Sequence, residues 1–411
     1  MTKLPSIFIS IASYRDTECQ HTVIDAFKQA LHPERIFVGI CWQYDAVKDE
    51  DCFVAPAPYP DQVRIIPYES HEAKGACWAR SQALSLHEGE DYILMIDAHM
   101  RFVKGWDALM IDALEHTPTK PAVLSGMPPN YTPPDHLHDH EKHGFPMIAV
   151  GMISHPNQLQ PIHLVSYMRP KGSQGWGLQI SPFVVGNFMF MRAETQQQIP
   201  FDPHIFFWGE EIAYSMRLWT YGVDIYQPDK PLIYHHWFAK SRNEGEKSVY
   251  KTEKTKRTEL SHLRLRHLLF DEAAPEVALI EYDRYGLGGV RPREDFWRFA
   301  DVDMTQRIIG ERAKTGRWLQ FPRLEKTHRP SIFVSIASYR DPECQHTVRD
   351  LYAKATYPER ITVGICWQFD PEKDRDCFQY PPPYPDQIRR VMYHYGESKG
   401  GCWARAQALS L

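Results

Sequence analysis

The sequence lacks any apolar stretch approaching the roughly 20 residues that a membrane-crossing helix needs, so no membrane span is expected. It lacks a basic excess. Lys and Arg number 47 against 52 Asp and Glu, a net charge of −5, which argues against a general field for nucleic acid. It lacks the apolar leader and small-residue cleavage site of a signal peptide, because Met1-Thr2-Lys3-Leu4-Pro5 runs directly into a strand-like segment. A cytoplasmic protein is the expectation. It also lacks a true cysteine framework. The Cys residues at 344, 366, 377 and 402 lie 325 positions after those at 19, 41, 52 and 77, so they are copies rather than a paired set. Without a secretion signal, reduced thiols are expected.

The spacing of the cysteines exposes an internal duplication. Pro5–Asp45 and Pro330–Asp370 are identical at about three positions in four, the kind of self-match a repeat search looks for. The match resumes at Lys74–Arg80 and Lys399–Arg405 and runs to Leu411, the counterpart of Leu86. The period is too long for a solenoid and has the length of a whole domain with an extension. The chain of 411 residues therefore reads as a main domain over 1–250, a charged and mainly helical extension over 251–325, and a truncated second copy over 326–411. The break falls inside a predicted helix, which reads as a fragment of a longer tandem. Such a copy has an unfinished core and is expected to be poorly ordered or docked on the first.

Within the first copy, strand and helix signals alternate. Apolar, β-rich runs occupy Ile7–Ser13, Arg35–Trp42, Val63–Pro67 and Tyr92–Ile96, and helix-period patterns occupy Glu18–Ala30, Ala73–Leu86 and Lys104–Glu115. The alternation predicts an α/β fold with a mixed, mostly parallel sheet covered by helices. Beyond Pro121, proline and glycine mark long loops, with strands expected at Phe183–Met191 and Leu232–Trp237 and a helix over Glu210–Tyr221.

Ligands of parallel sheets bind beyond the carboxyl ends of the strands, and the chemistry-bearing residues fall at that edge. Asp97-Ala98-His99 follows the most apolar strand, and alternation of side chains directs Asp97 and His99 the same way. A carboxylate and an imidazole suit a divalent cation, and a cation there would neutralise a diphosphate. The plainer reading is that Asp97 caps the following turn. Tyr14-Arg15-Asp16 follows the first strand and could cradle a nucleotide's base and ribose, or Asp16 could cap the next helix. Lys74, Gly75 and Arg80 begin a helix. Arg80 is read as contacting the ligand directly, with pairing to Asp97 as the alternative. In Phe207-Trp208-Gly209-Glu210-Glu211, Trp208 offers a flat face to a sugar and Glu210 or Glu211 a cleft carboxylate, although carboxylates also simply favour a helix start. His235 and His236 end a late strand and face opposite ways, so one of them, by preference His235, would join the metal set. Arg242 lies in a polar loop able to close over phosphates. The His-rich stretch Asp135–His143 sits in a proline-rich loop without spaced ligands and is read as a polar loop.

Taken in order, Ser10–Asp16, Lys74-Gly75 with Ala79-Arg80, Asp97-Ala98-His99, Val185-Gly186-Asn187, Trp208–Glu211 and His235-His236-Trp237 resemble the cytosolic N-acetylglucosaminyltransferases that modify hydroxyproline on the Skp-type adaptor of ubiquitin ligases, and their bacterial relatives. The resemblance covers most of the first 250 residues. It implies a GT-A fold and a UDP-sugar donor bound with Tyr14, Arg15, Asp16, Lys74, Arg80 and Arg242. It also implies a manganese-type divalent metal and transfer of N-acetylglucosamine or a related hexosamine to an acceptor hydroxyl with retention. More distantly, the Asp-x-His and Trp-Gly-Glu segments are similar to polypeptide N-acetylgalactosaminyltransferases, which implies metal ligation by Asp97, His99 and His235 or His236. The acceptor, protein or glycan, stays open. The rival readings are a non-catalytic nucleotide-sugar or glycan-binding module and a metal-dependent hydrolase. The second lacks a motif such as His-Glu-x-x-His.

Overall fold

A computed structural model describes residues 4–53, 55–138, 144–154, 161–169, 177–237, 250–318, 331–355 and 358–411. Arg242 and residues 139–143 of the His-rich stretch lie outside the described residues. The chain forms two compact units, Met1–Arg323 and Leu324–Leu411. The expected boundary at 250 does not appear as a separate body. Leu265, Leu268, Leu269 and Phe296 from the helical stretch are buried in the same core cluster as Ile7, Ile93 and Phe190. The extension is a part of the first unit because its apolar positions are needed to close that core.

Strands β1 (Ile7–Tyr14), β2 (Ile36–Tyr44), β3 (Val63–Glu69) and β4 (Tyr92–Asp97) come from the first hundred residues. They are followed by β5 (Met100–Phe102), β6 (Ala122–Ser125), β7 (Tyr131–Thr132), β8 (His136–Leu137), β9 (Phe145–Ile153) and β10 (Ile162–Arg169). Then come β11 (Gln179–Ser181), β12 (Phe188–Arg192), β13 (Asp224–Gln227), β14 (Ile233–His235) and a short pair, β15 (Val302–Asp303) with β16 (Ile308–Ile309). One eight-stranded sheet runs in the order β11-β13-β6-β12-β4-β1-β2-β3. The ladders β2–β3, β1–β2, β1–β4 and β6–β13 are parallel, while β12 is antiparallel to both β4 and β6. β1 and β4 are buried almost end to end, which explains why their sequences run apolar without alternation. β1 pairs with β2 on one side and β4 on the other, so the chain order reverses between β1 and β4. Such a reversal opens a crevice at the strands' carboxyl ends.

The helix Glu18–Gln29 follows β1 and buries Cys19, Val23, Ala26 and Phe27, spaced for one helical face. The helix Ala76–Leu84 begins after Gly75, whose φ is +107°. A Cβ placed there would lie 2.3 Å from the Phe206 carbonyl oxygen. Gly75→Ala is therefore expected to lower stability by about 1–3 kcal/mol, read as a lower urea midpoint with an unchanged slope. A midpoint equal to the parent's would show that the junction relaxes freely.

The second unit contains β17 (Ile332–Tyr339), β18 (Ile361–Phe369) and β19 (Ile388–His394) in one parallel sheet, with the helices Glu343–Lys354 and Gly401–Leu409. Val348, Val363 and Ile365 form its own small core. Over its described residues, the local strand–helix contacts close this core.

Candidate functional site

β4 ends at Asp97, and residues 98 and 99 form a bend before β5 begins. His99 is thus not carried on the strand, as alternation suggested. The bend is fixed by Thr22 on the preceding helix, whose Oγ1 donates to the Ala98 carbonyl at 2.7 Å and accepts the Met100 N–H at 2.8 Å. β14 pairs antiparallel with β5, placing His235 opposite Met100. In this way the crevice between β1 and β4 receives a third group from a distant part of the chain. Ligand atoms of Asp97, His99 and His235 all lie within 4.8 Å of one another.

Each member of the cluster is held by a neighbour. Asp97 Oδ1 accepts from Arg80 at 3.1 Å, and Oδ2 lies 3.2 Å from His235 Nε2. Burial works against the charged form of Asp97, but the His235 hydrogen bond and the Arg80 guanidinium outweigh it and hold the carboxyl well below its ordinary range. His99 Nδ1 lies 2.7 Å from Asp16 Oδ2. Burial disfavours the imidazolium, yet Asp16 prevails and raises the His99 pKa above its ordinary value. The Asp16 bond leaves Nε2 of His99 to face a cation, an arrangement typical of ligating histidines. Burial lowers the pKa of His235 and favours the neutral ring that metals require. Its Nδ1 is a buried nitrogen with no hydrogen-bond partner among the described residues. One carboxylate and two imidazoles of this kind fit a divalent transition-metal ion.

His236 does not join them: its Nδ1 lies 3.2 Å from the Tyr131 carbonyl oxygen, as opposite-facing neighbours on a strand should. Asp16 stands at the helix start, as its capping reading expects, and also takes a role that neither reading named. One oxygen accepts the Glu18 N–H at 2.8 Å at the helix start, and the other orients His99. Arg15, expected at a nucleotide, is instead buried in a two-point bridge to Asp49, with contacts of 2.7 and 3.2 Å. Arg340 repeats this bridge with Asp374 in the second unit, so the bridge belongs to the scaffold that the two copies share. Tyr14 ends β1 half-buried at the crevice.

Arg80 also differs from its direct-contact reading. It is buried, and its guanidinium bonds to Asp97, to Glu210 at 3.3 Å and to the Gly186 carbonyl at 3.2 Å. It organises the cluster from behind. Gly186 permits this, since a Cβ there would lie 2.7 Å from the guanidinium. Glu211 accepts the Gly186 N–H at 2.7 Å through Oε1. Burial and the Glu211 carboxylate raise the Glu210 pKa, and burial raises that of Glu211. The helix Glu210–Thr220 thus starts with two carboxylates bound to protein groups, after Gly209 at φ +88°. Trp208, just before it, is 56% exposed and packs edge-on against Phe207. Lys74 is not brought to the cluster. Its ammonium lies 5.3 Å from the Trp78 ring centroid, beside a separate hollow of about 360 Å³. Thr22 and Gly186 support the cluster, and the sequence reading gives neither of them that role. Only Gly186 carried a signal, as part of Val185-Gly186-Asn187.

In the structure of GalNAc-T7 with UDP, GalNAc and Mn2+, the matched part is 13% identical, with a TM-score of 0.53, covering 75% of this chain and 59% of that one. The S. aureus TarS structure (residues 1–349) is 12% identical at a TM-score of 0.39, covering 66% of this chain and 67% of that one. The mannosyltransferase PcManGT from Pyrobaculum calidifontis, in complex with GDP-Man and Mn2+, is 14% identical at 0.37, covering 68% of each chain. This chain therefore spans 59% of the length of the GalNAc-T7 structure. No curated protein sequence matches it. The likeness to GalNAc-T7 concerns the fold, which is of GT-A type. A family profile described as Glycosyltransferase (GlcNAc) matches residues 6–61, 54–306 and 331–383, and with most of its length so matched the chain belongs to the GlcNAc glycosyltransferase family.

Proposed function

We propose that the first unit transfers N-acetylglucosamine, or a related hexosamine, from a UDP-linked donor to an acceptor hydroxyl, with retention. The observation that carries this reading is the Asp97–His99–His235 cluster at the switch between β1 and β4. A divalent cation of the Mn2+ type held there would supply charge neutralisation at the departing diphosphate. Asp97 is kept ionised and aimed by Arg80, and His99 is kept in one tautomer by Asp16. Tyr14 borders the same crevice and offers its ring to the base. Exposed Trp208 offers a face to a sugar, and Glu211, anchored through Oε1, offers its second oxygen to a sugar hydroxyl. Arg242 is assigned to the diphosphate on charge alone. No nucleic-acid partner and no membrane span belong to this reading; among the described residues no helix is long and apolar enough to cross a bilayer.

The test is calorimetric titration of the full chain with UDP, with and without Mn2+, followed by mass spectrometry of products from UDP-GlcNAc, UDP-GalNAc and UDP-glucose with protein and glycan acceptors. Binding that requires Mn2+, together with hexosamine transfer, supports the proposal. Binding without turnover of any donor favours the binding-module reading, and UDP binding indifferent to the metal removes the cation from the account.

Because ligation needs neutral imidazole and the His99 pKa is raised, Mn2+ affinity should fall as pH drops through a value above the ordinary histidine pKa. Asp16→Asn removes the raising partner, so the fall should move to lower pH. At neutral pH the same change should weaken Mn2+ binding by about 10–100-fold, the usual cost of losing a group that orients a ligand. Calorimetry across pH checks both, and an unchanged profile in the variant would separate Asp16 from the metal.

A further inference from the structure

The turn from Val185 to Phe188 leads into β12, and its backbone is fixed step by step. The Val184 N–H donates to Ser215 Oγ and the Val185 N–H to Ser125 Oγ, each at 2.9 Å. Gly186 is held by Glu211 at its N–H and by Arg80 at its carbonyl. The Phe188 N–H returns to the Val185 carbonyl at 3.2 Å. Asn187 carries the single polar side chain of these four residues. It is 7% exposed, and its Oδ1 is buried with no hydrogen-bond partner among the described residues. Buried polar groups are rarely left in that state, because the water they give up must be replaced. The backbone does not call for asparagine here, since Asn187 is not among the residues with positive φ. What remains is a polar group whose partner arrives with a ligand.

Its position says which ligand. β12 runs antiparallel to β4, with Phe188 opposite Ile96. The next residues outward are Asn187 and Asp97, so both stand at one level of the sheet edge, beside the metal cluster. Cross-strand neighbours share a face. The charged groups there have other duties: Asp97, His99 and His235 suit a cation, and Arg80 is spent on protein acceptors. A diphosphate is bound best by positive charge. A carboxamide is neutral, with an amino group that donates and an oxygen that accepts, and rotation about χ2 exchanges its two ends. Its complement is another neutral amide. Uracil, assigned to Tyr14 on β1, lies on the far side of β4 from β12. On the reading of the first unit as a hexosamine transferase, the donor carries one further amide, the acetamido group of its sugar.

We propose that the Asn187 carboxamide hydrogen-bonds that acetamido group and so selects a 2-acetamido sugar over a plain hexose. The inference rests on the transferase reading above and adds to it the residue that sets donor specificity. A site with a buried polar group waiting for its partner rejects the analogue that lacks the partner, because the group then stays unpaired.

The experiment is calorimetry of the full chain in Mn2+ with UDP, UDP-glucose and UDP-GlcNAc, with Asn187→Ala beside the parent. The parent is expected to hold UDP-GlcNAc more tightly than UDP-glucose, which has a hydroxyl in place of the acetamido group. Asn187→Ala should bind UDP-GlcNAc about tenfold more weakly, the effect of one lost hydrogen bond, and should bind UDP and UDP-glucose as the parent does. Its urea midpoint should stay close to the parent's, because Oδ1 gives up no partner among the described residues. A parent that binds UDP but holds the two sugars alike overturns the inference and leaves the nucleotide-sugar reading standing. So does a variant as tight as the parent for UDP-GlcNAc. A variant that loses all three ligands in equal measure also overturns it, because the side chain then shapes the crevice or meets the nucleotide. A parent that binds none of the three ends the transferase reading, and this inference with it.

Discussion

Asp97→Asn should leave a folded protein that no longer binds Mn2+ measurably and transfers sugar about 10³-fold more slowly. The substitution keeps the size of the side chain and removes only its charge. Asp97 is the single carboxylate of the cluster, and its two oxygens face Arg80 and His235. An amide at that position offers a weaker oxygen to the cation and a donor where none is wanted. Loss of charge stabilisation on a leaving group is worth several kcal/mol in the transition state, with each 1.4 kcal/mol a factor of ten. Stability should fall by no more than about 1–3 kcal/mol, the cost of an imperfect hydrogen bond to Arg80. Urea unfolding run beside the assay separates the two effects. Transfer within a few-fold of the parent, at saturating Mn2+, would place the chemistry elsewhere.

The second large effect falls on stability. Arg80→Met should cost about 3–5 kcal/mol, the usual penalty for removing one member of a buried ion pair. The guanidinium joins Asp97 at the end of β4, Glu210 at the start of a helix and the carbonyl of Gly186. Methionine fills much of the space but strands Asp97 and the other two hydrogen-bond partners. The raised pKa of Glu210 moderates the loss, because that carboxyl becomes neutral readily. Arg80→Lys should recover little, since a single ammonium cannot span three acceptors in a plane. A urea midpoint unchanged in Arg80→Met would mean that the three segments hold together without the bridge.

The parallel half of the sheet was legible because its strands are buried on both faces, which writes them as unbroken apolar runs: Ile7–Ser13 was read and Ile7–Tyr14 is found. The place of Asp97 followed from that. The antiparallel additions were harder. β9 and β10 pair antiparallel between the proline- and glycine-marked stretches Met127–Pro134 and Pro170–Gly177, where the sequence reading places no strand. Pro146 and Gly151 interrupt the pattern, and the second strand is only partly buried. For Arg80 the residues leave two readings open, direct donor contact and pairing with Asp97, and the geometry shows the pairing. A lone arginine near a helix start carries no mark of what it faces, and its partners Glu210 and Gly186 lie more than a hundred positions away. Arg15 shows the same limit, because Asp49 belongs to a loop whose shape the residue order does not reveal. Strand alternation allows only one of His235 and His236 at the cluster without choosing between them; β14 ends at His235, which faces Asp97, while His236 just beyond it faces the Tyr131 carbonyl.

The distance along the chain between Asp97 and His235, 138 positions, has a consequence for biosynthesis. A ribosome that has released Asp97 and His99 must still produce the helix Glu210–Thr220 and β14 before the three side chains of the proposed metal site can meet. Capture of the cation would then act as a stamp of completion. At one hundred times its dissociation constant it would add about 2.7 kcal/mol to the finished unit and almost nothing to a nascent or half-folded one, so cellular manganese supply would be felt as a yield of mature protein as well as a rate of turnover.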